Sequence, residues 1–205
     1  MKKIVAFLLM ICCVLALAAC DDPSDDNNDK VDYSQAISDM QTVIDASAPA
    51  VADITVVLKS SLGDLNGSYN VVYNEDGTAT VTYSYEKFNS FEDISGELKS
   101  TYTGTTTVAA DGTVTDSLGG TASVEAITFD VQLDESKLGS VTAGAGSVTA
   151  KVKAADTKAI LGVEIGYDVD LVISSGKLGV TSVAISYDSA SGPVEIVAVY
   201  TYVAE

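Results

Sequence analysis

The sequence predicts a mainly β protein: an antiparallel meander of about ten strands forming a curved sheet or open barrel, preceded by one helix. Three observations carry this. From residue 50 onward Thr, Val and Tyr dominate the chain, and β-branched and aromatic residues fit a pleated, half-buried surface. Apolar and polar residues alternate with a period of two, as in strands with one face buried and one wet. Turn residues recur at short intervals between the alternating runs.

The helix is expected at about 33–47. Asp32 and Gln35 have the spacing of a capping box, Ile37, Met40 and Ile44 share one helical face, and Pro49 ends the segment. Strands are expected at 51–59, 67–74, 78–86, 94–109, 113–118, 122–133, 147–154, 158–173, 177–188 and 194–203. The run 158–173 alternates most cleanly, with Ala159, Leu161, Val163, Ile165, Tyr167, Val169, Leu171 and Ile173 apolar and Lys158, Glu164, Asp168 and Asp170 between them. Asn74-Glu75-Asp76-Gly77, Ala110-Asp111-Gly112, Ser174-Ser175-Gly176 and Ser191-Gly192-Pro193 have residue types suited to tight turns. The apolar phase slips between Val180 and Val183, which predicts a bulge. Gly139 to Gly146 reads as a flexible loop. Gly77, Gly112, Gly146 and Gly179 are nearly evenly spaced, as strands of similar length in a meander would place them.

Ten one-sided strands present more apolar area than one short helix can cover, so the sheet must curl, close or fold over. A curved sheet or open barrel with the helix across its mouth is the leading architecture, and a two-sheet sandwich the alternative. The expected organisation is a leader over 1–19, a tether over 20–32 and a single all-β domain over 33–205.

Composition excludes much chemistry. The formal net charge is −18, and all 11 basic residues are Lys. Without Arg there is no bidentate recognition of phosphate, and no broad positive footprint for nucleic acid. The chain has no His and no Trp, and its three cysteines lie at positions 12, 13 and 20. The body therefore lacks imidazole bases, Ser-His-acid triads, thiol nucleophiles, disulfides and the common zinc ligands. Ser84-Tyr85-Glu86-Lys87 matches a Ser-x-x-Lys motif in spelling only, because that nucleophile needs a helix start and this one sits in an alternating strand. Asp168 and Asp170 share a strand face but lack the turn-shaped spacing of a calcium loop. The expectation is no enzyme (an unspecified hydrolase being the remote alternative), no cofactor and no metal.

The first twenty residues are the most specific part of the chain. Lys2 and Lys3 precede an uncharged apolar run from Ile4 to Leu17, followed by Ala18, Ala19 and Cys20. Basic start, apolar middle and small residues before a cut define a secretory signal peptide. The apolar stretch is shorter than the roughly 20 residues a spanning helix needs. Leu17-Ala18-Ala19-Cys20 resembles the lipobox of bacterial lipoproteins. That resemblance implies cleavage between Ala19 and Cys20, acylation of Cys20 by palmitate-type chains, and a location in the bacterial cell envelope, lipid-anchored to a membrane. Residues 21 to 32 are acidic and lack aromatics, a composition that stays solvated; as a coil they span roughly 20 Å. An Asp after the cysteine resembles an inner-membrane retention signal of enteric lipoproteins. In other groups an acidic run there resembles an export signal to the surface. Both addresses stay open, beside a plain spacer.

Two functions follow. The first is a noncatalytic binding module for an apolar ligand or lipid, held against the surplus apolar strand face. Tyr69 with Tyr73, Tyr83 with Tyr85 and Tyr200 with Tyr202 share strand faces, and Tyr offers a ring with a polar tip for lining such a site. An early helix followed by a long antiparallel meander is similar to the periplasmic lipoprotein carriers and their membrane-anchored receptors. That likeness spans most of the body without a specific motif, so no ligand residue passes over. The second is a structural or surface interaction module, an adhesion domain contacting envelope protein or glycan through Thr-rich strand faces.

Overall fold

The computed structural model describes residues 32–89, 97–109, 131–144 and 146–202, and the backbone of 114–116. Ten strands form one open sheet: β1 (Val51–Leu58), β2 (Leu65–Tyr73), β3 (Ala79–Phe88), β4 (Lys99–Val108), β5 (Val114–Asp116), β6 (Leu138–Gly144), β7 (Ser147–Val152), β8 (Val169–Gly176), β9 (Gly179–Ser189) and β10 (Gly192–Thr201). Their spatial order is β5-β4-β3-β2-β1-β10-β9-β8-β7-β6, and every neighbouring pair is antiparallel. The fold is thus two five-stranded meanders, β1–β5 and β6–β10, joined along a central seam where the first strand pairs with the last. All strands among the described residues belong to one sheet, so the antiparallel open-sheet expectation holds and the two-sheet sandwich does not.

Helix α1 (Ser34–Ala46) buries Ile37, Met40 and Ile44 and packs chiefly on β9, β7 and β6. Its cover therefore falls mainly on the second meander. The helix begins one residue later than a capping box with Asp32 as its first member would set. Tyr33 occupies the N-cap position without a side-chain cap, and the Gln35 amide instead donates to Asp39 one turn on, at 2.7 Å. The Gln41 amide does more: its oxygen accepts from the Leu133 N–H at 2.7 Å, and its nitrogen donates to the Val131 carbonyl. The Gln132 N–H reaches the Ile160 carbonyl at 2.9 Å. Residues 131–133 are thereby strung between α1 and the segment after β7. They are not the end of a strand, as their alternation predicts; the rest of the expected strand 122–133, the turn at 110–112 and Ile94 lie outside the described residues.

The strand expected at 158–173 is the clearest departure. Residues Thr157–Leu161 form a short helix, α2, ended by Gly162 at φ 74, and a strand starts only at Val169. Thr157, Ile160 and Leu161 are buried, a helical i, i+3, i+4 set hidden inside a pattern that also alternates by two. Gly162 and Gly166 both take positive φ, where a residue with a Cβ is strained. The buried Thr157 hydroxyl donates to the Ala154 carbonyl and accepts from the Ile165 N–H, closing the loop on itself. The predicted loop at Gly139–Gly146 is instead mostly strand β6, whose Leu138, Val141 and Ala143 pack against the core. The predicted bulge is present: Ser174 pairs with Ser182 and Ser175 with Val180, leaving Thr181 unopposed.

Candidate functional site

The strand register builds β1–β4 into cross-strand rows on two faces. On the apolar face the first row is Tyr200, Ala52, Val71, Val81 and Thr106, the second Ala198, Ile54, Tyr69, Tyr83 and Gly104, and the third Ile196, Val56, Gly67, Tyr85 and Tyr102. A fourth, shorter row holds Val194, Leu58 and Leu65. Every member of the first row is buried. Burial then declines along the strands: Val56, Leu58, Leu65 and Tyr85 are half-buried, and Tyr102 is 46 % exposed. The apolar face is closed at one end and open at the other, where the β1–β2 and β3–β4 connections place the exposed Leu62 and Leu98.

Tyrosine rings cross this opening face. Tyr69 and Tyr83 have ring centres 6.5 Å apart, Tyr83 and Tyr85 5.9 Å, and Tyr85 stacks on Tyr102 at 5.4 Å. Two glycines make this possible. A Cβ at Gly104 would run into the Tyr83 ring, and one at Gly67 would press on the Tyr69 ring at 3.2 Å. The rings therefore lie across backbone that carries no side chain, a known way for aromatics to shield glycine in a sheet. Burial, then the nearby Tyr85 and Tyr83 hydroxyls, pushes the Tyr69 phenol above its ordinary range. Burial likewise raises Tyr73 and, more strongly, Tyr200. These phenols stay neutral at physiological pH, with no activated base or nucleophile among them.

On the opposite face the same strands carry two polar rows: Asp53, Asn70, Thr82, Thr105, and Thr55, Ser68, Ser84, Thr103. Together with Ile54, Tyr69, Tyr83 and Gly104 they line a trough of about 710 Å³. The Asn70 amide donates to Asp53 at 2.7 Å. Just beyond the second row Glu86 accepts from the N–H and the amide of Asn66 and pairs with Lys99 at 2.8 Å. The Lys99 ammonium, followed by the Asn66 bonds, holds Glu86 down at about 2.

The tyrosine pairs read from the sequence do share faces, and the register brings Tyr69, Tyr83, Tyr85 and Tyr102 into one group. Tyr202 is used structurally: its hydroxyl donates to the Val180 carbonyl at 2.7 Å. Asp168 accepts from the Ala154 N–H, and Asp170 pairs with Lys151 at 2.7 Å, so the two acids serve different partners. Ser84 and Lys87 fall on opposite faces of β3 by strand alternation. Among the described residues no group of three or more His, Cys, Asp or Glu side chains could hold a metal. No helix among them is long and apolar enough to cross a membrane. Ala19 and Cys20 lie outside the described residues. Sequence reasoning missed the trough. Its signal was the Thr101, Thr103, Thr105, Thr107 alternation, but only the register shows which rows face each other.

No family model matches the sequence, and no curated protein does. Among solved structures the chain is similar to LprF from Mycobacterium bovis, at 12 % identity and a TM-score of 0.36, over 78 % of this chain and 91 % of that one. At that identity and overlap no residue role passes from one to the other.

Proposed function

We propose that the chain is a noncatalytic, lipid-anchored binding protein of the bacterial cell envelope that holds an apolar ligand at the open end of its apolar sheet face. The observation behind this reading is the gradient of burial along β1–β4. A sheet face that is fully covered at one end and lined by half-exposed rings at the other leaves apolar area for a ligand to cover. Four tyrosines on the face supply ring surface, with Tyr102 the most exposed of them. The absence of His and of any body thiol supports a binding role over catalysis.

Native mass spectrometry of the protein extracted gently from its own membrane tests the reading. A second, noncovalent mass lost on denaturation is expected; an acylated protein with nothing bound would refute it. Tyr102→Ala removes the most exposed ring at little cost to the fold. Titrated with Nile red, this variant should bind about tenfold more weakly than wild type, as expected for one aromatic contact.

The anchor has its own test. Cys20→Ser should move the protein from the membrane pellet to the soluble fraction, or stall it unprocessed with its leader attached. Unchanged fractionation, with the leader removed, would mean that Cys20 carries no lipid.

A further inference from the structure

We infer that the ligand of the open apolar end is a single-chain amphiphile with one negative charge, a free fatty acid, whose carboxylate is met by Lys87. The inference rests on the apolar-site reading above and gives that site's ligand a headgroup.

Lys87 breaks the pattern of its face. It lies two residues beyond Tyr85 on β3 and points the same way, since side chains alternate along a strand. Among the described residues of β1–β4 it is the only charged side chain on the apolar face. It is exposed and stands where burial along the strands gives way to solvent. The neighbouring cations are matched: Lys59 pairs with Glu195 at 3.0 Å, and Lys99 with Glu86 at 2.8 Å. Lys87 joins no ion pair among the described residues. Ser100, opposite it on β4, gives its hydroxyl proton to Asn89 at 2.7 Å.

A lysine stem lies along apolar surface while its ammonium stays in water, so Lys87 offers a charge at the rim without breaking the apolar face. A chain laid on Val56, Leu58 and Leu65, all half-buried, brings its head to that rim beside the stacked Tyr85 and Tyr102. The first two cross-strand rows are largely buried. The open part is therefore the third and fourth rows, about 7 Å apart at about 3.3 Å per residue, which is room for one acyl chain and not two. One ammonium matches one carboxylate. Asp64 and Glu97 on the connections at this end disfavour a head with more than one negative charge. The net charge of −18 repels anions at long range, but salt screens exposed charges beyond about 8 Å, so the contact at Lys87 chooses the head.

The test is native mass spectrometry of the full chain in a nonionic detergent, with dodecanoate, methyl dodecanoate and dodecylamine added together at equal concentration. The dodecanoate adduct should exceed the ester adduct by about fivefold, the upper end for an exposed ion pair, and the amine adduct should be the weakest. Lys87→Gln should equalise acid and ester while leaving ester uptake unchanged, and Lys87→Arg should keep the preference for the acid. Equal uptake of acid and ester by the wild type would overturn the headgroup inference and leave the apolar site standing. So would a preference for the acid that survives Lys87→Gln. Stronger uptake of a two-chain phosphatidylglycerol than of dodecanoate, in a parallel sample, would overturn the single-chain assignment. No adduct with any of these compounds would overturn this inference and the apolar-site reading together.

Discussion

Gly192→Ala should destabilise the protein by about 4 kcal/mol or more, a loss in the exceptional range for one substitution. Gly192 opens β10, the strand that joins the two meanders, and takes φ 133. A side chain is strained there whatever surrounds it. Its surroundings add to the strain, because a Cβ would overlap the carbonyl oxygen of Lys59, where β1 leaves the sheet. That backbone cannot withdraw freely, since the Lys59 N–H is bonded to the Pro193 carbonyl at 2.8 Å. Ser189 fixes the turn from the other side by donating to the Gly192 carbonyl at 2.6 Å. Gly63→Ala is the control. Gly63 also has positive φ, 114, but a Cβ there meets nothing within 4 Å, so only backbone strain of about 1–2 kcal/mol applies. Urea midpoints of the two variants check the ranking. Equal losses would show that the contact with Lys59 relaxes and that conformation alone decides.

How far the sequence discloses this fold depends on which physical signal each segment carries. Strands β1, β3, β7 and β10 were legible because one face is buried and the other wet, so a period of two is written directly into the residues. The bulge at Thr181 was legible for the same reason, as a slip of one in that period. Residues 157–168 were not. Ala159, Leu161, Val163 and Ile165 satisfy alternation, while Thr157, Ile160 and Leu161 satisfy the helical spacing that the chain adopts. A short apolar run fits both periods, and here the two left-handed glycines decided between them. Strand β6 was hidden by its glycines and small side chains, which read as loop until the neighbouring strand supplies the pairing. The candidate site divides the same way. That the tyrosines share strand faces follows from spacing along each strand. That Tyr85 stacks on Tyr102, and that Gly104 lies across from Tyr83, depends on pairing between distant segments, which no local pattern encodes.

The second large effect concerns the latch between α1 and the sheet. The β9–β10 ladder ends at Val199 and Ser182, and the bulge that follows carries Val180 beyond it. Val180 is fully buried, and a buried peptide group without partners is costly. Two side chains replace the missing strand. The Ser47 hydroxyl, at the end of α1, accepts from the Val180 N–H at 3.0 Å while donating to the Val43 carbonyl. Tyr202 donates to the Val180 carbonyl from the other side. Gly179 leaves room for both, as a Cβ there would press on Ser47 and Tyr202 alike. Ser47→Ala should therefore cost about 1–3 kcal/mol through an unsatisfied buried N–H, and Tyr202→Phe about 1 kcal/mol. Because both bonds end on one residue, the double variant should depart from additivity. Amide hydrogen exchange distinguishes a latch from ordinary packing. In Ser47→Ala the Val180 amide should lose protection by more than the global stability change explains, whereas amides in β1–β3 should follow that change alone. Equal acceleration everywhere would mean that α1 and the sheet open together and that Ser47 contributes no separate restraint.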